Sequence, residues 1–215
     1  MSPLAPGASA DDKVQVFPGM EIRQGTTVCT LGFVDAATRT GYSAGHCRAS
    51  DTVTDRDGNP IGVVVTSRDN TPNGTVVRTD QVISDYETIA LADHVTVSTV
   101  LPGGRLLLDA ADELSAGQLV CHFGVVSGES CGIIERVNNG WFTMAGGVVS
   151  QKGDSGGPVY AVAGNGTAVL VGLFNSTWGQ LPAAVSWQAT GQQVRADGGM
   201  PAAAVVNALV ITPPN

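Results

Sequence analysis

The sequence predicts an all-β protein, and three observations carry that expectation. Its 215 residues include 28 glycines and 11 prolines, a supply of turn formers that suits many short strands. Short apolar runs bounded by turn signals recur along the chain, as in Val28-Cys29-Thr30-Leu31-Gly32-Phe33-Val34 and Ile61-Gly62-Val63-Val64-Val65, and these read as strands. Long amphipathic helical stretches are few.

In chain order, residues 1–20 read as an N-terminal tail. Within it Ala8-Ser9-Ala10, ahead of Asp11-Asp12, looks like the small-residue end of a signal cleavage site, with an ordinary flexible tail as the alternative. Residues 21–100 form a first strand-rich half. Asp57-Gly58-Asn59-Pro60, Asn73-Gly74, Asn139-Gly140 and Asn165-Gly166 offer residues that tolerate positive φ, so each is expected to turn a hairpin. Residues 101–118, with Pro102-Gly103-Gly104 and the charged Asp109-Ala110-Ala111-Asp112-Glu113, read as a linker to a second half, residues 119–215. There Pro201 precedes Ala202-Ala203-Ala204-Val205-Val206-Asn207-Ala208-Leu209, a start and a composition that predict a C-terminal helix.

With 43% hydrophobic residues the chain can bury a large core, and its length suits one two-lobed domain or two small ones. The net charge is −8 and the eleven Lys and Arg are scattered, which argues against a nucleic-acid partner. No apolar stretch approaches a membrane span. Four cysteines fit two disulfides and an oxidising compartment, and they lack the close paired spacing typical of zinc ligands.

Two motifs carry the chemistry. Gly153-Asp154-Ser155-Gly156-Gly157-Pro158 places a serine in a glycine-rich turn, and Ala44-Gly45-His46-Cys47 supplies a histidine about a hundred residues upstream. A serine hydroxyl is a poor nucleophile unless it is unencumbered and reaches a base. The flanking glycines meet the first need and let the N–H groups of Gly153 and Ser155 converge where an oxyanion could be held. His46 is the candidate base. Together the motifs resemble the chymotrypsin-like serine peptidases, and their flanking residues look most like the bacterial streptogrisin and alpha-lytic branch.

That resemblance, which covers roughly Val28 to Val171, implies two antiparallel six-stranded β-barrels with a C-terminal helix and a centre formed where the barrels meet. It implies the disulfides Cys29–Cys47 and Cys121–Cys131. It also implies a catalytic triad, in which Asp85 of Ser84-Asp85-Tyr86 matches the branch's Asp-Tyr pair. Laying Thr88-Ile89-Ala90-Leu91 on the family's Asp-Ile-Ala-Leu pattern instead puts threonine where the carboxylate belongs, with Asp80 and Glu87 as fallback partners. In the branch an arginine after the equivalent of Cys121 pairs with the aspartate before the nucleophile. Here His122 holds that place, and a protonated His122 is expected to support Asp154, with main-chain N–H groups, Arg23 or Arg136 as alternatives. Val149 falls where trypsin-like enzymes carry aspartate, and Asn175 and Thr177 fall on the strand that lines the substrate, so small or medium apolar residues are the expected preference. The activity implied is that of a secreted, monomeric serine endopeptidase acting on protein or peptide substrates without cofactor or metal. The alternatives are a protease-fold binding protein with an incomplete triad, and an esterase. The α/β-hydrolase arrangement is disfavoured because Asp154-Ser155-Gly156 is not its nucleophile elbow.

Overall fold

The computed structural model describes residues 13–71, 77–110 and 113–198. The first lobe holds β1 (Gln15–Val16), β2 (Glu21–Gln24), β3 (Thr27–Thr30), β4 (Phe33–Asp35), β5 (Thr40–Ser43), a single 3-10 turn over Gly45–Cys47, β6 (Thr52–Thr54), β7 (Pro60–Asp69), β8 (Asp85–Leu91) and β9 (Thr96–Val97). Seven of these strands curl into one sheet in the order β3-β2-β6-β7-β8-β5-β4. The second lobe holds β10 (Leu106–Leu108), β11 (Leu119–Gly124), β12 (Gly128–Val137), β13 (Trp141–Ala145), β14 (Pro158–Val162), β15 (Thr167–Trp178), β16 (Leu181–Ser186) and α1 (Trp187–Ala196). Its sheet runs β10-β15-β14-β11-β12-β13-β16, and a further β15–β16 pairing closes six of the strands into a barrel. The architecture is therefore all-β and chymotrypsin-like: one closed six-stranded barrel, one curled half-barrel and a helix at the end of the described chain.

The apolar pattern explains the layers. Ile22, Leu31, Val53, Ile61 and Ile89 fill the core of the first lobe, and Val120, Ile134, Phe142, Val159 and Phe174 fill one side of the second. A third cluster joins the lobes, with Phe33 and Tyr86 from the first packed with Leu107, Trp141, Tyr160, Leu173 and Trp187 from the second. Every residue of β8 is buried because that strand has β5 and β7 on its edges and a core on each face. Tyr86 alone, fully buried, contributes about 1.5–3 kcal/mol by leaving water. Its hydroxyl donates to Asp197 Oδ2 at 2.5 Å, and Arg68 donates to both oxygens of the same carboxylate. The end of α1 is thus fastened to β7 and β8.

Several expectations change in detail. Part of the tail is structured, since β1 pairs in parallel with β9 and Val16 and Met20 are buried in the first core. The linker contributes a strand, because the apolar run Leu106-Leu107-Leu108 pairs with β15. The strand expected over Val28–Val34 breaks between β3 and β4 at Leu31-Gly32. A Cβ on Gly32 would lie 2.3 Å from Gly156 O and 2.4 Å from Leu173 Cδ2, so only glycine lets the second lobe approach this closely. The turns at Asp57-Gly58, Asn139-Gly140 and Asn165-Gly166 link β6–β7, β12–β13 and β14–β15. Asn73-Gly74 and the helix expected from Pro201 lie outside the described residues. The observed helix starts earlier, at Trp187, where Ser186 Oγ accepts from Ala189 N. Cys29 is bonded to Cys47 and Cys121 to Cys131.

Candidate active site

His46 is placed by its neighbour. The Cys47 bond to Cys29 pins the 3-10 turn to β3, and the turn presents His46 to the first residue of β8. The His46 main-chain N donates to Asp85 Oδ1 at 2.8 Å, and its Nδ1 lies 2.8 Å from Asp85 Oδ2. A third donor, Asn175 Nδ2, reaches Asp85 Oδ2 at 2.5 Å. Asp85 is 1% exposed, and its carboxylate is fixed in orientation by three donors from two segments, the 3-10 turn and β15. Burial lowers the proton affinity of His46, but the hydrogen bond and charge of Asp85, with the charge of Asp69, outweigh it and hold the pKa above the ordinary imidazole value.

Asn175 reaches Asp85 because β15 carries a bulge there. Phe174 pairs with Ala184 but Ser176 pairs with Ala183, so Asn175 has no partner on β16. Such a bulge re-aims one side chain out of the alternation. Asn175 Nδ2 also lies 3.0 Å from Thr71 Oγ1.

Ser155 comes from the turn before β14. Gly156 has φ of +82°, and a Cβ there would lie 2.1 Å from Ser43 Oγ and 2.7 Å from Ala44 N, so glycine allows the serine turn to abut the end of β5. Ser155 O accepts from Thr30 N at 2.8 Å and lies 4.0 Å from Cys47 Sγ. The turn bearing Ser155 therefore rests against the turn bearing His46. Ser155 Oγ itself donates to Asn175 O at 3.4 Å, and no hydrogen bond joins it to His46.

The loop before Ser155 is shaped by Asp154 and Thr30. Gly153 has φ of +108°, and its carbonyl accepts from Thr30 Oγ1 at 2.9 Å while the same hydroxyl accepts from Val125 N at 3.0 Å. Asp154, fully buried, takes Val126 N and Ser127 N on Oδ1 at 2.9 and 3.1 Å, and Gln151 N on Oδ2 at 2.6 Å. Among the described residues the N–H groups of Gly153 and Ser155 donate to nothing, whereas those of Asp154, Gly156 and Gly157 are bonded within the fold.

This corrects the role expected of His122. Neither of its ring nitrogens has a hydrogen-bond partner, and the ring lies against Phe174 with centroids 4.6 Å apart. Burial pushes its pKa down to about 4, and the charge of Asp154 opposes this only in part. It is a neutral core histidine near Asp154, and main-chain N–H groups hold the aspartate. Arg23 is bonded to Glu21. Of the other groups weighed for His46, Asp80 is paired with exposed Arg78. Thr88 Oγ1 accepts from Thr66 N, and Glu87 is bonded to Gln24.

The residues expected on the substrate side differ in exposure. Val149 is 53% exposed, with Ser130 Oγ bonded to both its N and its O. Asn175 is fully buried. Thr177 is exposed, and its hydroxyl lies 3.2 Å from Ser150 Oγ. Sequence reasoning missed the grip of Asn175 on Asp85 and the double contact of Thr30, because a strand bulge and a partner in the other lobe leave no local signature.

The chain is 55% identical over 198 residues to two Mycobacterium tuberculosis proteins, uncharacterized protein Rv1815 and uncharacterized protein MT1863. The match spans 92% of this chain and 90% of each relative. It belongs to their family. No protein-family model matches the sequence. Among solved structures the fold is similar to that of a glutamic acid specific serine protease described as using a histidine triad in substrate binding, at TM-score 0.59 and 20% identity over 85% of this chain and 98% of that one. It is likewise similar to Cellulomonas bogoriensis chymotrypsin, at TM-score 0.58 and 20% identity over 86% and 96% of the two chains. A third similar structure is a scabies mite inactivated protease paralogue, at TM-score 0.56 and 12% identity over 83% and 92%. Active and inactivated proteases thus share this fold, and the assignment of activity falls to the residues of the site.

Proposed function

We propose that the protein is a serine endopeptidase acting through an acyl-enzyme, with Ser155 as nucleophile, His46 as general base and acid, and Asp85 as the group that orients His46. The observation that carries this reading is the two-point contact of Asp85 with the main-chain N and Nδ1 of His46, both at 2.8 Å. With Nδ1–H engaged by Asp85, the lone pair of His46 is left on Nε2, the atom that must accept the serine proton. Ser155 Oγ, turned from Asn175 O toward His46, attacks the peptide carbonyl while its proton passes to Nε2. The carbonyl electrons move onto oxygen, where the unbonded N–H groups of Gly153 and Ser155 stabilise them. The proton on Nε2 then goes to the leaving amine. Water attacks the acyl-enzyme by the same route in reverse and restores Ser155.

The preference for small or medium apolar residues at the cleaved bond follows the family resemblance; Ser150 and Thr177, whose hydroxyls lie 3.2 Å apart, are on the two segments that would flank a substrate side chain. Two disulfides fit a protein that works outside the reducing cytoplasm, and no described helix is long and apolar enough to cross a membrane. The substrate class is protein or peptide, and the working unit is a monomer. Incubation with a diverse peptide mixture followed by mass-spectrometric mapping tests the reading. Cleavage after small apolar residues that vanishes in Ser155→Ala supports it, and an unchanged mixture refutes it. A second reading, a protease-fold binding protein, is favoured by one observation: the hydroxyl of Ser155 is bonded to Asn175 O and not to His46.

A further inference from the structure

Glu87 projects from the same face of β8 as Asp85, two residues along, and is fully buried inside the first lobe. Its partner is buried Gln24 of β2, whose Nε2 donates to Glu87 Oε1 at 2.5 Å. Each side chain is left with one buried oxygen that no group satisfies, Oε2 of Glu87 and Oε1 of Gln24. Buried polar atoms in folded proteins are nearly always paired, so two orphan acceptors on side chains already joined require an explanation. A single proton removes both deficits. Placed on Oε2, it makes the carboxyl a donor, and that hydroxyl can bond Gln24 Oε1 while the amide bonds Glu87 Oε1.

We infer that Glu87 is kept as a neutral carboxylic acid in a two-hydrogen-bond ring with the Gln24 carboxamide, and that this ring is a positioning element which steadies β8 behind Asp85. The second part rests on the proposed peptidase reading; the first does not. The ring ties β2 directly to the strand that presents Asp85, across a sheet in which β6 and β7 lie between them. The residues opposite Glu87 on the neighbouring strands are Ser43 of β5 and Ser67 of β7, neither of them charged. Burial, together with the charge of Asp85, pushes the Glu87 pKa up to about 8, and the Gln24 bond and the charges of Arg48 and His46 offset this only in part. The sign follows from linkage: the folded state holds this proton over a range where the unfolded chain has released it. The ring's contribution is complete below the ordinary glutamate value and declines as pH rises toward about 8. Above that pH the ring is open and a second negative charge faces Asp85.

The test compares wild type with Glu87→Gln, which can form the same ring but cannot ionise. Thermal midpoints are measured from about pH 5 to about pH 9 across the linkage window, with the rate at which a fluorophosphonate modifies Ser155 measured over the same range. The carboxyl carbon of Glu87 in wild type is titrated by NMR. The expected result is a carboxyl that titrates near 8, a stability advantage of Glu87→Gln that grows with pH, and an alkaline fall in Ser155 modification that only wild type shows. A carboxyl titrating in the ordinary glutamate range, or midpoints that run parallel in the two proteins, overturns the ring. Should neither protein react at any pH while the stability gap grows, the ring stands and the positioning role falls with the peptidase reading. Should Glu87→Gln fail to fold, the wild-type carboxyl titration decides.

Discussion

Replacing Asp154 by asparagine probes how the loop before Ser155 is held. The carboxylate accepts three main-chain N–H groups, two on Oδ1 and one on Oδ2, and it is fully buried. An asparagine that keeps its carbonyl at the Oδ1 position retains two bonds, now to a neutral acceptor, and sets its own N–H₂ against the N–H of Gln151. Losing one bond to a charged group costs about 1.5–3 kcal/mol, and neutral acceptors are about half as strong as charged ones, so the expected loss is about 3–6 kcal/mol in total. The alternative geometry, with the amide nitrogen facing Val126 and Ser127, strands two donors and costs more. Urea unfolding at neutral pH measures the loss. The reference is His122→Phe, which removes no hydrogen bond among the described residues and should cost less. A loss below about 1 kcal/mol for Asp154→Asn, or a larger one for His122→Phe, would refute the view that main-chain donors rather than His122 hold Asp154.

Three further outcomes follow from the geometry. Replacing Cys29 and Cys47 together by alanine opens a loop with a sequence separation of 18, which the chain-entropy relation values at about 3 kcal/mol; a denaturant midpoint should fall accordingly, along with Ser155 reactivity, since His46 adjoins Cys47. Asp85→Asn should lower the hydrolysis rate by about four orders of magnitude, equivalent to about 5.5 kcal/mol in the barrier, as read by kcat/KM on any cleaved peptide. In wild type kcat/KM should rise with pH as His46 loses its proton, with a midpoint above the ordinary histidine value because Asp85 raises it. In Asp85→Asn burial is left unopposed by that partner and the midpoint should move down.

Much of the fold was legible from local pattern. Short apolar runs and three Gly-containing turns correspond to observed elements, because strands and hairpins are encoded by neighbours in sequence, while the two disulfides, Cys29–Cys47 and Cys121–Cys131, match the pairing that the family resemblance implied. What was not legible depends on partners far along the chain. Residues 13–20 read as tail because two residues of strand carry no periodicity, and they are structured only because β9 lies ready to pair with them. The linker's Leu106–Leu108 became a strand through β15, sixty residues later. In the site, Ser155 and His46 were evident from motifs, whereas Asn175 turned toward Asp85 only through a bulge, a register event with no residue signature. His122 was read by analogy as a charged partner. Its surroundings instead include Phe174 and a closed interior, and in such a place burial outweighs the pull of a nearby carboxylate.

The central claim is that two turns from opposite halves of the polypeptide meet to make a reactive serine. Intact-mass measurement after exposure to a fluorophosphonate tests it directly. The account predicts a single adduct, mapped to Ser155, that is lost in Ser155→Ala and formed far more slowly in His46→Ala. An unmodified wild-type protein, or an adduct that forms equally fast without His46, would contradict it.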